Sequence, residues 1–284
     1  MGWHNPQQSW SQLERVLSDT RLTREGLPWP DGGDAPGWSR KREAYTPPPR
    51  IDRPRPGSTR PYAELHAHSH FSFLDGASSP QELVEEAVRL GLTGLAVTDH
   101  DGLYGAVRLA EAAESHDLGT VFGAELSLGL PEPQAGVADP VGEHLLLLAR
   151  GPEGYHRLSS TLTTGQLAGE KGRPVHDLRR VADELAGHVV VLTGCRKGAV
   201  RRALAGPGGG GSCVGPLDLD AAERALRAQQ ETFGHDAVLV EVSHRGLPGD
   251  DHLADALAEV ARRAGAPVVA TTGAHVARPD AARL

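Results

Sequence analysis

From residue 62 onward, short apolar runs alternate with longer stretches in which apolar residues recur every three or four positions. Compact runs of Val, Leu and Ala without strict alternation are typical of strands buried on both faces of a parallel sheet, and the longer spacing is typical of amphipathic helices. Seven strands are predicted, over residues 62–68, 94–99, 121–127, 144–149, 189–193, 237–242 and 267–272. Interleaved with helices, they predict an α/β protein, either a barrel or an open doubly wound sheet.

The stretch SPQELVEEAVRLG carries the boundary signals of a helix at both ends. Ser79 stands at the N-cap position, Pro80 at the first helical position, and Glu82 completes a capping box. Gly91 follows the last helical turn, where a left-handed residue ends many helices. A helix is therefore predicted directly after the first strand and its loop.

The first 60 residues follow neither pattern. All four tryptophans lie within the first 38 residues, and the segment that follows is proline-rich and ends in PPPRIDRPRPGSTRP. Because proline fixes φ and donates no backbone hydrogen bond, residues 21–60 are predicted to form an extended arm without helix or ladder pairing. A short amphipathic helix is predicted over residues 10–17. The expected organisation is a partly disordered Pro/Trp-rich arm, residues 1–60, and a barrel domain, residues 61–284.

The composition narrows the functional class. The formal net charge of -8 argues against a generally basic surface for nucleic acid, and the 39% hydrophobic but only 4% aromatic content predicts a core of Ala, Val and Leu. The chain has two cysteines, no apolar stretch long enough to span a membrane, and no apolar signal region at its N-terminus. We therefore expect a cytoplasmic protein without a membrane partner.

Unusual polar residues cluster where the predicted strands end. Ligands gather at the carboxyl ends of parallel strands because the loops converge there. Residues of this kind are His66, His68, Asp99, His100, Glu125, Cys195 and His275, whereas His144 stands at the beginning of its strand. Histidines one residue apart, as in the first strand, point to the same side and can share one ion.

Each of these residues also has an ordinary structural explanation. Asp75 suits a turn in which Gly76 supplies a positive φ angle, Cys195 suits a small buried hydrophobe, and His144 suits a satisfied core histidine. The joint placement at successive strand ends favours a metal cluster over these separate explanations.

Several motifs, taken in chain order, resemble those of the PHP (polymerase and histidinol phosphatase) domain of bacterial C-family DNA polymerases. They read LHAHSHFSFLDGAS, LAVTDHDGLYGAV, VFGAEL, HLLLLA and LTGC. The phrases GWHNPQQSWSQLERVL, TGCRKGAVRRAL and ATTGAH are more similar to the error-prone, damage-tolerant branch. The resemblance implies a distorted, TIM-like barrel of seven βα units that binds up to three Zn²⁺ or Mn²⁺ ions. The implied metal ligands are His66, His68, Asp75, His100, Glu125, His144, Cys195 and His275.

The last motif departs from the pattern of the family. Where the family has Asp-x-His, this chain has Gly273, Ala274 and His275. The resemblance implies that the lost carboxylate would join His66, His68 and Glu125 on one ion. That ion is left with three protein ligands, so fewer ions are expected here than in complete members of the family.

Two classes of function follow from the resemblance. In the first, the chain is the N-terminal module of an error-prone, translesion polymerase, with a mainly structural metal site and little or no 3′–5′ exonuclease activity. Its partners are then the remaining polymerase domains and, through them, DNA. In the second, it is an active metal-dependent phosphoesterase, either a proofreading nuclease or a stand-alone phosphatase.

Basic residues after Cys195 bear on both classes. Arg196, Lys197 and Arg201 are candidates for holding phosphate, with a solvated helix face as the alternative. The acidic residues that a polymerase uses to bind nucleotide magnesium cannot be assigned in this sequence. We therefore expect the chain alone not to polymerise DNA, and to be a fragment or a split gene product.

Overall fold

The computed structural model describes residues 23–24, 27–28, 45–55, 57, 60–134, 137–206 and 216–283. The chain divides into two compact units, Met1–Thr46 and Pro47–Leu284. The predicted helix over residues 10–17 lies outside the described residues. In the first unit, strands β1 (Thr23–Arg24) and β2 (Leu27–Pro28) form an antiparallel pair. The prediction that residues 21–60 lack ladder pairing is therefore wrong at this point, since a proline is tolerated at the edge of so short a ladder.

The second unit contains one seven-stranded sheet whose strands follow one another in chain order. They are β3 (Ala63–Glu64), β4 (Gly94–Val97), β5 (Gly119–Leu128), β6 (Glu143–Ala149), β7 (Val189–Leu192), β8 (Val238–Ser243) and β9 (Val268–Thr271). A strand is present in each of the seven predicted segments, although the first spans only Ala63–Glu64 of the predicted residues 62–68. Just beyond β9, Ala274 bridges to Ala67, and its backbone N–H donates to the carbonyl of His66 over 3.0 Å. The last strand thus returns to the first, and the sheet curls into a nearly closed barrel.

Seven α-helices in this unit, counted over the described residues, connect and surround the strands. They are α1 (Pro80–Leu90), α2 (Ala106–Glu114), α3 (Gly151–Ala168), α4 (Leu178–Leu185), α5 (Ala199–Ala205), α6 (Leu219–Phe233) and α7 (Asp250–Ala264). Short 3₁₀ turns occupy His235–Ala237 and Pro279–Arg283. Helix α1 begins and ends as predicted, with the capping box of Ser79 and Glu82 and with Gly91 at φ 74°. No helix in the described parts of the chain combines the length and apolar character needed to cross a membrane.

The sheet is mixed, and the prediction of an all-parallel sheet is wrong. Strand β6 pairs antiparallel with both β5 and β7, while all other neighbours in the barrel are parallel. A parallel crossover usually needs a helix, and none is seen in the described part of the β5–β6 connection. Because β6 runs in reverse, its first residues lie beside the last residues of β5, and His144 pairs with Ser127. This explains why His144 begins its strand and yet belongs to the same end of the barrel.

Side chains on the strands alternate between two apolar regions. Leu145 and Leu147 belong to the large core under the helices, whereas Leu146 and Leu148 belong to a smaller cluster with Ala96 and Leu192. Successive strand residues point to opposite faces, so the smaller cluster fills the barrel interior. His144 has the same parity as Leu146 and faces the interior one layer above this apolar plug.

The loop after β3 is held rigidly against the barrel end. Asp99 accepts hydrogen bonds from the Ser69 backbone, the Ser69 hydroxyl and the Ser72 hydroxyl, each at 2.8 Å. The expected positive φ at Gly76 is wrong, because Leu74 carries it, at 65°. Glycine is needed at position 76 for space, since a Cβ there would lie 2.1 Å from the carbonyl oxygen of Ser69. This close packing fixes the position of the intervening Asp75.

Candidate metal centre

All eight ligands implied by the sequence line one cavity of about 270 Å³ at the end of the barrel. They come from the loop after β3, the ends of β4, β5, β7 and β9, and the beginning of the reversed β6. The eight are His66, His68, Asp75, His100, Glu125, His144, Cys195 and His275. The sequence placed them at separate strand ends, and the barrel brings these ends together.

Within this cavity, three groups of side chains have the geometry to hold an ion, with ligand atoms within 4.8 Å of one another in each group. The first is His66, His68 and Glu125; the second is His68, Asp75 and His275; the third is His100, Glu125 and His144. His68 belongs to the first and second groups and Glu125 to the first and third, so the three groups are neighbours. The first group comprises the three residues that the resemblance places on one ion, and Gly273 lines the cavity beside them.

Glu125 is the central group of the cluster. Its side chain is only 1% exposed, and four histidines from three segments of the chain face its carboxylate. His144 Nδ1 lies 3.1 Å away, His68 Nε2 lies 3.4 Å away, and the ring nitrogens of His100 and His66 lie 3.5 and 3.8 Å away. A carboxylate in this position can bridge neighbouring cations.

Glu241, which the sequence prediction missed, orients His66. Its Oε1 lies 2.7 Å from His66 Nδ1 and also accepts a hydrogen bond from the hydroxyl of Thr271. With Nδ1–H donating to Glu241, His66 turns its other nitrogen, Nε2, toward Glu125. A carboxylate behind a histidine fixes its tautomer and raises its strength as a ligand. The available signal was a lone glutamate in the otherwise apolar strand VLVEV.

His144 is oriented in the opposite sense. Its Nε2 lies 3.0 Å from the carbonyl oxygen of Pro140, an acceptor only, so Nε2 carries the proton. Nδ1 then faces Glu125 and Cys195, whose Sγ lies 3.4 Å away, and can carry a second proton or bind an ion. Cys195 itself belongs to none of the three groups found among the described residues.

Asp75 joins three histidines on the opposite side. Its carboxylate lies 2.5 Å from His68 Nδ1, 3.0 Å from His275 Nδ1 and 3.4 Å from His100 Nε2. His70 keeps the alternation of His66 and His68 but does not line the cavity, and its ring packs against Phe71.

Several buried polar atoms in the cluster have no hydrogen-bond partner in the described protein. They are His68 Nε2, both ring nitrogens of His100, Glu125 Oε1 and Glu241 Oε2. Buried polar groups are normally satisfied, because an unsatisfied one costs about 1–3 kcal/mol. Imidazole nitrogens and carboxylate oxygens are the donors that Zn²⁺ and Mn²⁺ take. The residues present therefore fit a metal centre.

In the metal-free protein, protons balance the carboxylates. Burial alone would lower the pKa of His66, but the charges of Glu241 and Glu125 outweigh burial and raise this pKa to about 9. Burial is likewise outweighed at His68 by Asp75 and Glu125, and at His144 by Cys195 and Glu125, so that both pKa values rise to about 10. Burial alone would raise the pKa of Glu125, but the neighbouring imidazoles of His144, His68 and His66 hold it well below its usual range.

The three basic candidates for phosphate differ in their surroundings. Arg196 lines the cavity but pairs with Asp139, and Lys197 lies 2.7 Å from the same carboxylate and donates to the carbonyls of Asp139 and Pro140. Arg201 is a largely buried part of the cavity wall. A further arginine that the sequence prediction missed, Arg245, also lines the cavity.

Comparison with known proteins identifies the family. Residues 64–245, which include seven of the eight candidate ligands, match the PHP domain. The chain belongs to the PHP domain family. Its whole length is 49% identical to the error-prone DNA polymerase of Nocardia farcinica and 54% identical to that of Mycobacterium tuberculosis, of which it covers 28% and 25%. This PHP domain therefore spans about a quarter of the length of the curated relatives it matches.

A solved structure shows the same fold at low identity. The PHP domain superposes on a Bifidobacterium adolescentis protein, to which a metal-dependent phosphoesterase activity has been ascribed, with a TM-score of 0.50 and 19% identity. The match covers 79% of this chain and 95% of that one. It shows a barrel of PHP type, as predicted.

The tautomer of His66 gives a first test of the centre. Replacing Glu241 with Gln removes the carboxylate behind His66, and we expect the affinity for Zn²⁺ or Mn²⁺ to fall about 10- to 100-fold. Calorimetric titration of the metal-free chain measures this. Glu231→Gln, at an exposed glutamate of α6 outside the cavity, is the matched control and should bind as the wild type does. Equal affinities in all three proteins would contradict the role of Glu241.

The raised histidine pKa values give a second test. Because protonated His66, His68 and His144 are favoured by folding, their contribution to stability is complete below about pH 6.5, the ordinary histidine pKa. It is lost as the pH rises through about 9 to 10. We expect the urea midpoint of the metal-free chain to fall across this window. The midpoint of the metal-loaded chain should fall less, since neutral imidazoles then hold the ion, and a flat metal-free profile would refute the assignment.

Proposed function

We propose that this chain is the PHP domain of an error-prone, damage-tolerant DNA polymerase, and that it holds Zn²⁺ or Mn²⁺ in a largely structural site with little or no 3′–5′ exonuclease activity. The observation that carries the proposal is the incomplete group of His66, His68 and Glu125. Three protein ligands converge there, and Gly273 contributes no fourth. The identity to error-prone polymerases over the whole chain supports the setting of this site.

The residues of the chain suit a stabilising role. Ions in the three neighbouring groups would join the loop after β3 to the segments after β4 and β9, to β5 and to the beginning of β6, which are distant in sequence. Such links oppose opening of the barrel, because metal binding that requires the folded site adds to folding stability. The eight proposed ligands would act together in this way, Cys195 through its contact with His144.

A bound ion would also supply the Lewis acidity that phosphoester hydrolysis needs. Gly273 stands where the family has a carboxylate, so the first group has one negative charge fewer and would bind its ion more weakly. A weakly bound ion contributes less to hydrolysis. Catalytic sites with three protein ligands exist. An active metal-dependent phosphoesterase is therefore the alternative that experiment must exclude.

The other proposed properties follow from the relatives. Because the chain spans about a quarter of their length, we propose the remaining polymerase domains as its partners and DNA as a ligand of the assembled polymerase. Translesion synthesis in the cytoplasm is the proposed setting. The Pro/Trp-rich arm, residues 1–60, is proposed as a connection to these partners.

A nuclease assay tests the proposed function directly. The chain, loaded with Mn²⁺, should leave a 3′-labelled single-stranded oligonucleotide intact on a denaturing gel. Degradation that disappears on His66→Ala would overturn the structural proposal in favour of the phosphoesterase. Persistence of degradation in that variant would indicate a contaminating nuclease.

Restoring the carboxylate tests the defect at Gly273. A Cβ at this position meets nothing within 4 Å, although φ is +60°. Aspartate tolerates this conformation at a cost of about 1 kcal/mol. Elemental analysis of Gly273→Asp should show one more tightly held ion per chain than the wild type. Gly273→Asn, which has the same size and backbone strain but no charge, should not, and equal metal content in all three would contradict the proposed vacancy in the ligand set.

A further inference from the structure

One wall of the metal cavity carries an arginine, Arg245, near the carboxylate of Asp250 but without an ion pair to it. This wall is formed by the last residue of β8, Ser243, and by residues after β8 and β9, namely Arg245, Thr272 and Gly273. Arg245 is exposed, and its guanidinium forms no ion pair or hydrogen bond with any residue that the structure describes. The side chain therefore lines the cavity with its hydrogen-bond donors available.

The other cationic side chains of the cavity are engaged. Arg196 pairs with Asp139, and Arg201 is buried with a partner of its own. Recruiting Arg196 for an anion would break an existing ion pair, whereas recruiting Arg245 would break none among the described residues. The structure thus distinguishes Arg245 from the candidates that sequence spacing suggests.

The backbone that presents Arg245 is fixed. The Oδ2 of Asp250, at the start of α7, accepts the backbone N–H of Arg245 over 2.7 Å and that of Leu247 over 2.9 Å. This turn places the side chain at the rim with little backbone entropy left to lose on binding. On the same wall, Gly273 leaves open space where any other residue would place a side chain.

We propose that Arg245 is the anion receptor of this cavity and binds the phosphate group of a phosphate-bearing ligand whose other oxygens face the ions. The inference rests on the proposed metal centre. A guanidinium presents two parallel N–H donors that match two phosphate oxygens. Bound ions add positive charge beside Asp75, Glu125 and Glu241, so we expect phosphate to bind more tightly to the metal-loaded chain than to the metal-free chain.

Inorganic phosphate is the probe for the test. The full chain is loaded with Mn²⁺, freed of unbound ions by gel filtration, analysed for metal content and titrated with phosphate by calorimetry. Arg245→Gln should bind phosphate at least about tenfold more weakly, at unchanged metal content, because one charge-assisted contact is lost. Arg179→Gln on α4, an exposed arginine outside the cavity, is the matched control and should bind as the wild type does.

The outcomes separate the two proposals. A chain that holds ions, but whose phosphate affinity is absent or unaffected by Arg245→Gln, overturns the role of Arg245 and leaves the metal centre standing. A chain that holds no ions overturns the proposed function, and the anion site falls with it. Parallel titrations with a nucleoside 5′-monophosphate and with an oligonucleotide lacking terminal phosphates identify the source. Weakening confined to inorganic phosphate and the monophosphate assigns a monoester, and weakening with the oligonucleotide assigns a strand phosphodiester.

Discussion

The carboxylate of Glu125 is buried at the end of the barrel, and the residues around it must supply positive charge and hydrogen bonds. An ionised carboxylate removed from water costs several kcal/mol unless cations and hydrogen-bond donors surround it. Here four histidines supply that environment, from the loop after β3, the end of β4 and the beginning of β6. Protons on the histidines can neutralise Glu125, as the raised pKa values show, and so can metal ions. The cluster is therefore a place where ions and protons compete, and the folded chain needs one or the other.

The reversed direction of β6 is what completes this environment. If β6 ran parallel to its neighbours, His144 would lie at the far end of the barrel, about 20 Å away over a seven-residue strand. Reversal places it opposite Ser127, and strand alternation then points it inward above Leu146 and Leu148. The same alternation turns Glu125 and Glu241 inward above the apolar plug. The polar centre thus rests on a dry layer that keeps its ligands in place.

The sequence predicted the presence of the strands, the first helix with its caps, and eight of the residues that line the cavity, because burial, capping and motifs leave local patterns, but it missed Glu241 and Arg245. It did not predict the direction of β6, since an apolar run reports burial and carries no sign of direction. The sequence also did not show which charged side chains form ion pairs in the folded chain. Arg196 and Lys197 follow Cys195 in the motif, but both form ion pairs with Asp139, which is distant in sequence. Arg245 lies in the loop after β8, where no motif pointed to phosphate binding. At Gly76 the residue type was explained by the wrong cause, because the close approach to Ser69 exists only in the folded loop.

The glycine at position 273 has two opposed electrostatic consequences for such a centre. One carboxylate fewer beside His66 and His68 weakens the attraction for a cation, and it also weakens the repulsion of an anion. Asp75, Glu125 and Glu241 are still present, and the cavity gains net positive charge only when ions enter. Once they do, Arg245 and the ions attract the same ligand from two sides. Binding of the two is then linked, and each must raise the affinity for the other by the same factor. A weak ion site in this barrel would consequently become a stronger one whenever a phosphate-bearing ligand is in place.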